Sequence, residues 1–167
     1  MEWHIVWQSE KSLDNWTTRF DLHCAPSWKI ALPGAGLFIS WVCTTFWISP
    51  MADLYGRKYF FLTGQIIMLF VHVCMHLTRS FNVIIAMSFV SGFFVPLRMI
   101  GFNYLLELVP KRKQIASGVT YLTLEALLFI FSTVLFRYTK DMDRLFFLTW
   151  VFNLISITGT FFLPESP

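Results

Sequence analysis

Charge is what this sequence has least of. Only 14% of its 167 residues are Asp, Glu, Lys or Arg, against about 25% in an ordinary soluble domain. So few charges cannot cover a water-facing globule of this length. Histidine is scarce too: His4, His23, His72 and His76 are all there are. His72 and His76 lie four apart on one helix face, the spacing used by membrane di-iron enzymes, but such centres need several more histidines. That argues against a metal site and leaves packing or a helix–helix hydrogen bond for the pair. Cys24, Cys43 and Cys74 have no metal spacing either; Cys43 and Cys74 lie in apolar runs and read as packing residues. Cys24 lies in a polar segment with no second cysteine in the polar parts to pair with. No nucleophile–base set or phosphate-binding loop stands out, which argues against an enzyme and implies no cofactor. The net charge of +3 is small and clustered, unlike the continuous basic face of a nucleic-acid binder. Residues 1–28 lack an apolar leader core, so no signal peptide is expected there.

What is present is apolar mass. Hydrophobic residues make up 56%, with 19 Phe and 7 Trp, and the mean hydropathy is +0.59. No residue is charged in 30–52, 59–78, 80–97 or 145–164, and 115–136 is interrupted only by Glu125. The third run continues past Arg98 to residue 106. Each run has roughly the 18–20 residues a helix needs to cross about 30 Å of hydrocarbon. Short alternating segments, the mark of a membrane β-barrel, are missing. The reading is an all-α integral membrane bundle with lipid as its solvent. Its segments are 1–28 outside the membrane and 29–167 as a bundle, with spans at about 30–48, 59–78, 82–109, 115–136 and 145–164.

Connectors 49–58, 77–82, 110–114 and 137–144 are short, so neighbouring helices should run antiparallel. Ser49-Pro50, Val109-Pro110 and Leu163-Pro164 read as helix boundaries. Pro33, Gly34 and Gly36 in the first span, and Pro96 and Gly101 in the third, mark close helix contact or a bend beside a cavity. Arg57, Lys58, Lys111, Arg112 and Lys113 crowd two short connectors on one side. Lys11, Arg19, Lys29, Arg79, Arg137, Lys140 and Arg144 are spread over the other. Density makes the first side cytoplasmic; raw count alone leaves orientation undecided.

The connector Ser49-Pro50-Met51-Ala52-Asp53-Leu54-Tyr55-Gly56-Arg57-Lys58 resembles the G-x-L-A-D-R-x-G-R-K loop between helices two and three of major facilitator superfamily transporters. Asp53, Gly56, Arg57 and Lys58 match; Ser49 and Leu54 replace the leading Gly and the internal Arg. Phe20-Asp21-Leu22-His23-Cys24 looks like the stretch closing the large extracellular loop of organic cation and organic anion transporters. Glu107-Leu108-Val109-Pro110 resembles the E-x-x-P that ends their helix four, and 163–167 the L-P-E-S-P that ends helix six. The resemblance implies a partial major facilitator fold, helices two to six of twelve, with residues 1–28 closing an extracellular loop. It implies an alternating-access carrier of small organic ions in the plasma membrane, with an extracellular N-terminus. Transport would then require the missing helices or a partner chain. A non-transporting membrane subunit derived from such a carrier is the alternative. Ser88 stands where relatives often carry Arg, and the Arg that usually follows E-x-x-P is displaced into 111–113, which argues against their proton coupling through helix four.

Two groups of residues could carry function. Gly56 permits a tight turn, Asp53 is placed to accept N–H bonds at the start of the next helix, and Arg57 can reach Glu107. The resemblance implies that Asp53, Gly56, Arg57, Lys58 and Glu107 form a latch; a solvated basic loop that only sets topology is the plainer reading. Arg98 lies about 18 Å along its helix from Pro110, and Glu125 about 16–17 Å from Gln114. Consecutive antiparallel helices bring these charges to one depth, where ionisable groups need a partner or a cavity. They are expected to pair, either beside a solute path or as a purely structural bridge. Asn103, Tyr121 and Thr123 could offer a solute hydrogen bonds or simply pack.

Overall fold

The computed structural model describes residues 15–163; what the sequence leads one to expect of 1–14 and of 164–167 lies outside them. A short helix α1 (Trp16–Arg19) is held by a reciprocal cap in which Asn15 Oδ1 accepts from the Thr18 amide at 3.1 Å. A 3₁₀ turn, Leu22–Cys24, follows. Then come α2 (Ser27–Tyr55), α3 (Arg57–Leu77), α4 (Phe81–Phe94), α5 (Leu97–Leu108), α6 (Gln114–Thr139) and α7 (Met142–Phe162). Among the described residues there is no strand, and α4 with α5 forms one broken span. Five helices are thus long and apolar enough to cross a bilayer.

The helices run longer than the uncharged stretches, because charged ends extend into water. The largest departure from expectation is in α2. Ser49-Pro50 does not end it; the helix continues to Tyr55, leaving Gly56 as the sole residue between α2 and α3. Pro50 removes one backbone donor, yet the turns around it carry Ile48 and Ala52, both buried against Leu97 and Ile100. That packing outweighs the missing bond. In the third span Pro96 does interrupt. The Val95 amide bonds to Gly92 at 3.4 Å, one residue short of α-helical spacing, and the Met99 amide reaches back to Pro96 at 3.0 Å.

Close packing is concentrated where side chains are smallest. Gly36 and Ser40 of α2 are buried, as are Ser88, Ser91 and Gly92 of α4. A methyl group on Gly92 would overlap the Leu37 carbonyl oxygen and Ser40 Cβ, and one on Gly36 would meet the Phe89 ring. The two backbones therefore touch as small-residue membrane seams do. Gly64 and Gly101 serve the α3–α5 contact in the same way, against Leu97 and Phe61. Gly34, by contrast, faces open space. Cys43, expected to pack, is exposed on α2. At the opposite end from Gly56, Leu22, Phe81 and Ile84 form a second core beneath Trp16 and Phe20.

Candidate functional site

The first cluster is assembled at helix ends. Gly56 has φ +90°, a conformation that side chains rarely adopt, and turns the chain from α2 into α3 without a loop. The turn sets Asp53 and Arg57 side by side although they belong to different helices. Arg57 Nε donates to Asp53 Oδ1 at 2.9 Å, and Nη1 donates to Glu107 Oε1 in the last turn of α5. Asp53 was expected to cap α3. It does not: α3 begins without a side-chain cap, because the guanidinium occupies the carboxylate. Lys58 Nζ reaches the carbonyl oxygens of Phe161, at 3.3 Å, and Leu163 at the end of α7. A cation there meets unpaired carbonyls and the negative end of the helix dipole. Four helix ends, those of α2, α3, α5 and α7, are tied at one place.

The second cluster lies deeper. Arg98 follows Pro96 by two residues, so the interrupted helix directs it away from the α2–α4 seam toward α6. Its Nη1 pairs with Glu125 Oε1. Arg98 is about 15 Å along the helix from Leu108, and Glu125 about 17 Å from Gln114, which puts both near mid-span. The rings of Phe102 and Tyr121, tilted at 43° with centroids 5.1 Å apart, hold α5 to α6 beside the pair. Gln114 Nε2 fastens the base of the same helix pair by donating to the Leu106 carbonyl at 2.9 Å. The pair opens onto a recess of about 740 Å³ lined by Arg98, Leu122, Glu125, Phe129 and Ser132. The Arg98 side chain is 55% exposed and that of Glu125 32%. Bare charge at this depth costs about 2.5–3.5 kcal/mol per residue against lipid, so this face suits water or another polar surface better than acyl chains. Thr123 is not directed into the recess as a free donor; its hydroxyl bonds the Val119 carbonyl at 2.8 Å.

The two histidines diverge. His72 Nδ1 lies 2.8 Å from the Met68 carbonyl of its own helix. His76 belongs to a third cluster that the sequence did not reveal. Arg19 Nη1 donates to Asp143 Oδ1 at 2.7 Å, Arg19 Nη2 donates to the His76 carbonyl at 2.9 Å, and His76 Nδ1 lies 3.2 Å from the same Asp143 oxygen. The rings of Phe146 and Trp150 flank the imidazole. This joins the pre-membrane segment to α3 and α7. No local spacing announces a contact between residues 124 positions apart; the available signal was an acid in the first turn of α7.

Helix-end charges, a small-residue seam and a mid-depth ion pair beside a recess are features of a membrane carrier. The profile of the family described as sugar (and other) transporter matches residues 24–167. The chain belongs to the sugar (and other) transporter family. Membership places it in the major facilitator superfamily and makes it a transporter-type integral membrane protein. No individual curated protein matches it.

Proposed function

We propose that these five spans form most of one half of an alternating-access carrier for small organic ions, matching helices two to six of twelve. The observation that carries this reading is the Arg98–Glu125 pair facing the open recess. A neutral sugar needs hydrogen-bond donors and acceptors, whereas an ionised pair at mid-depth offers each sign of solute a countercharge once the other partner is displaced. The sequence likeness to organic cation and anion transporters supports the same class.

In this reading residues 1–28 end an extracellular loop, residues 29–167 are the bundle, and the carrier resides in the plasma membrane with the N-terminus outside. Asp53, Gly56, Arg57, Lys58 and Glu107 act as the cytoplasmic latch. Their energetics fit a reversible contact. Asp53 is 59% and Glu107 35% exposed, and ion pairs so open to solvent contribute only about 0.2–1 kcal/mol each. The cluster can order the helix ends in one state and release them in another.

The test is uptake by membranes that hold the chain together with a complementing set of transporter helices. An organic cation, an organic anion and a hexose are compared. Uptake of one ion, reduced by Arg98→Gln and by Glu125→Gln, supports the proposal. Hexose uptake unaffected by both changes would refute the choice of solute. No uptake of any solute from a correctly inserted, assembled complex would favour the alternative of a non-transporting subunit.

A further inference from the structure

At the end of the bundle opposite Gly56 lies a recess of about 460 Å³, lined by Arg19, Phe20, His76, Leu77, Thr78 and Arg79. It combines cationic and apolar side chains, as does a second recess at the same end lined by Val134, Arg137, Tyr138 and Lys140, and it differs from that one in holding an imidazole and an anchored arginine. Two guanidiniums and an imidazole meet there, and one half of the wall is apolar. Arg19 is held in place by Asp143 and the His76 carbonyl, which engage Nη1 and Nη2 and leave further N–H groups to donate. Arg79, exposed in the three-residue turn between α3 and α4, has no ion-pair partner among the described residues. Thr78 Oγ1 accepts from the Ser80 amide at 3.2 Å, so its hydroxyl hydrogen is available. The carboxylate in contact is Asp143, which is shared between Arg19 and His76. Asp141, nearby, is engaged by Arg144 at 3.3 Å. Among the described residues, two arginines against one carboxylate leave the recess with a net positive charge of one.

The position narrows the ligand. The recess sits where α3 ends and α4 begins, at the level where spanning helices leave the hydrocarbon. Leu77, 70% exposed, and Phe20 present an apolar flank beside the cationic one. A free oxyanion has no use for that flank; an anionic phospholipid has a phosphate for the arginines and acyl chains for Leu77. We infer that this recess binds the phosphate of an anionic phospholipid headgroup, with Arg79 as the principal donor and Arg19 as the fixed second one. Bidentate guanidinium–phosphate geometry suits this task.

The experiment uses the whole chain in detergent micelles doped with either phosphatidylglycerol or phosphatidylcholine, with bound lipid counted by native mass spectrometry. Phosphatidylglycerol should be retained preferentially. Arg79→Gln should cut its retention about tenfold or more, as loss of a charge-assisted guanidinium–phosphate contact does and beyond the roughly fivefold of one diffuse surface charge, and Arg79→Lys should restore part of it. Arg137→Gln supplies the control, since Arg137 is a cation at the same end of the bundle but outside this recess. Circular dichroism of each variant confirms an unchanged helix content, which an exposed turn residue should not alter. Equal losses from Arg79→Gln and Arg137→Gln would mean a diffuse surface potential and overturn the site. So would retention that ignores both changes. If inorganic phosphate alone at millimolar concentration binds with the same dependence on Arg79 and displaces the lipid completely, the ligand is a soluble oxyanion and the lipid assignment falls.

Discussion

Helices α2, α4 and α6 are all rich in apolar residues, yet the α2–α4 seam and α6 hold their places in different ways. In the seam, Gly36, Ser40, Ser88 and Gly92 bring two backbones into contact, and position is fixed by shape. Along α6 only Gly118 is buried, while Ile115, Leu122, Phe129 and Tyr138 stand exposed. That helix is located by a few directed contacts: the Gln114 tether, the Phe102–Tyr121 rings and the Arg98–Glu125 bridge. Lipid gives no hydrophobic reward for bringing helices together, so association must come from close contact or from polar bonds. The seam uses the first and α6 the second. A helix held by few bonds is the one whose position a solute could change.

The sharpest way to break the comparison is to overfill the seam. Gly92→Leu must force apart the Leu37 carbonyl and Ser40, and should destabilise the bundle by about 3 kcal/mol or more. Loss of helicity at lower denaturant in micelles would report it. Next comes the bridge. Arg98→Ala leaves Glu125 alone at mid-depth and should weaken the fold by roughly 2 kcal/mol, less than a fully enclosed pair would suffer because half of the guanidinium is already open. The exchange Arg98→Glu with Glu125→Arg should recover most of that loss in the same unfolding assay. If the exchange recovers nothing, α6 is not positioned by the pair. The smallest effect belongs to Gly34→Leu, which enters open space beside the seam and should change stability by less than about 0.5 kcal/mol. A cost equal to that of Gly92→Leu would show that α2 dislikes large residues everywhere, and the seam would lose its special status.

Much of this was legible in the residue order. Runs free of charge mark spanning helices because a charge in hydrocarbon is costly wherever it falls, so their number can be read without knowing any contact. The depth of Arg98 and Glu125 could be counted from Pro110 and Gln114 for the same reason. The tight turn at Gly56 was readable because a glycine's backbone freedom is local, and the reach of Arg57 to Glu107 because both stand at span ends on the same side of the bundle. What stayed hidden depends on packing between distant segments. Pro50 looks like a boundary until Ile48 and Ala52 are seen buried on either side of it. Asp53 looks like a cap until Arg57 claims it. Arg19, His76 and Asp143 have no shared period, and only the folded chain brings them within 3.2 Å.

The elbow at Gly56 has a mechanical meaning. With one residue between α2 and α3, any change in the angle between the two helices has to be taken up in the φ and ψ of Gly56 alone. Arg57 and Lys58 stand immediately beyond the pivot and reach α5 and α7. A change of angle at that one residue would therefore bear on both contacts together, and through them on the ends of α5 and α7.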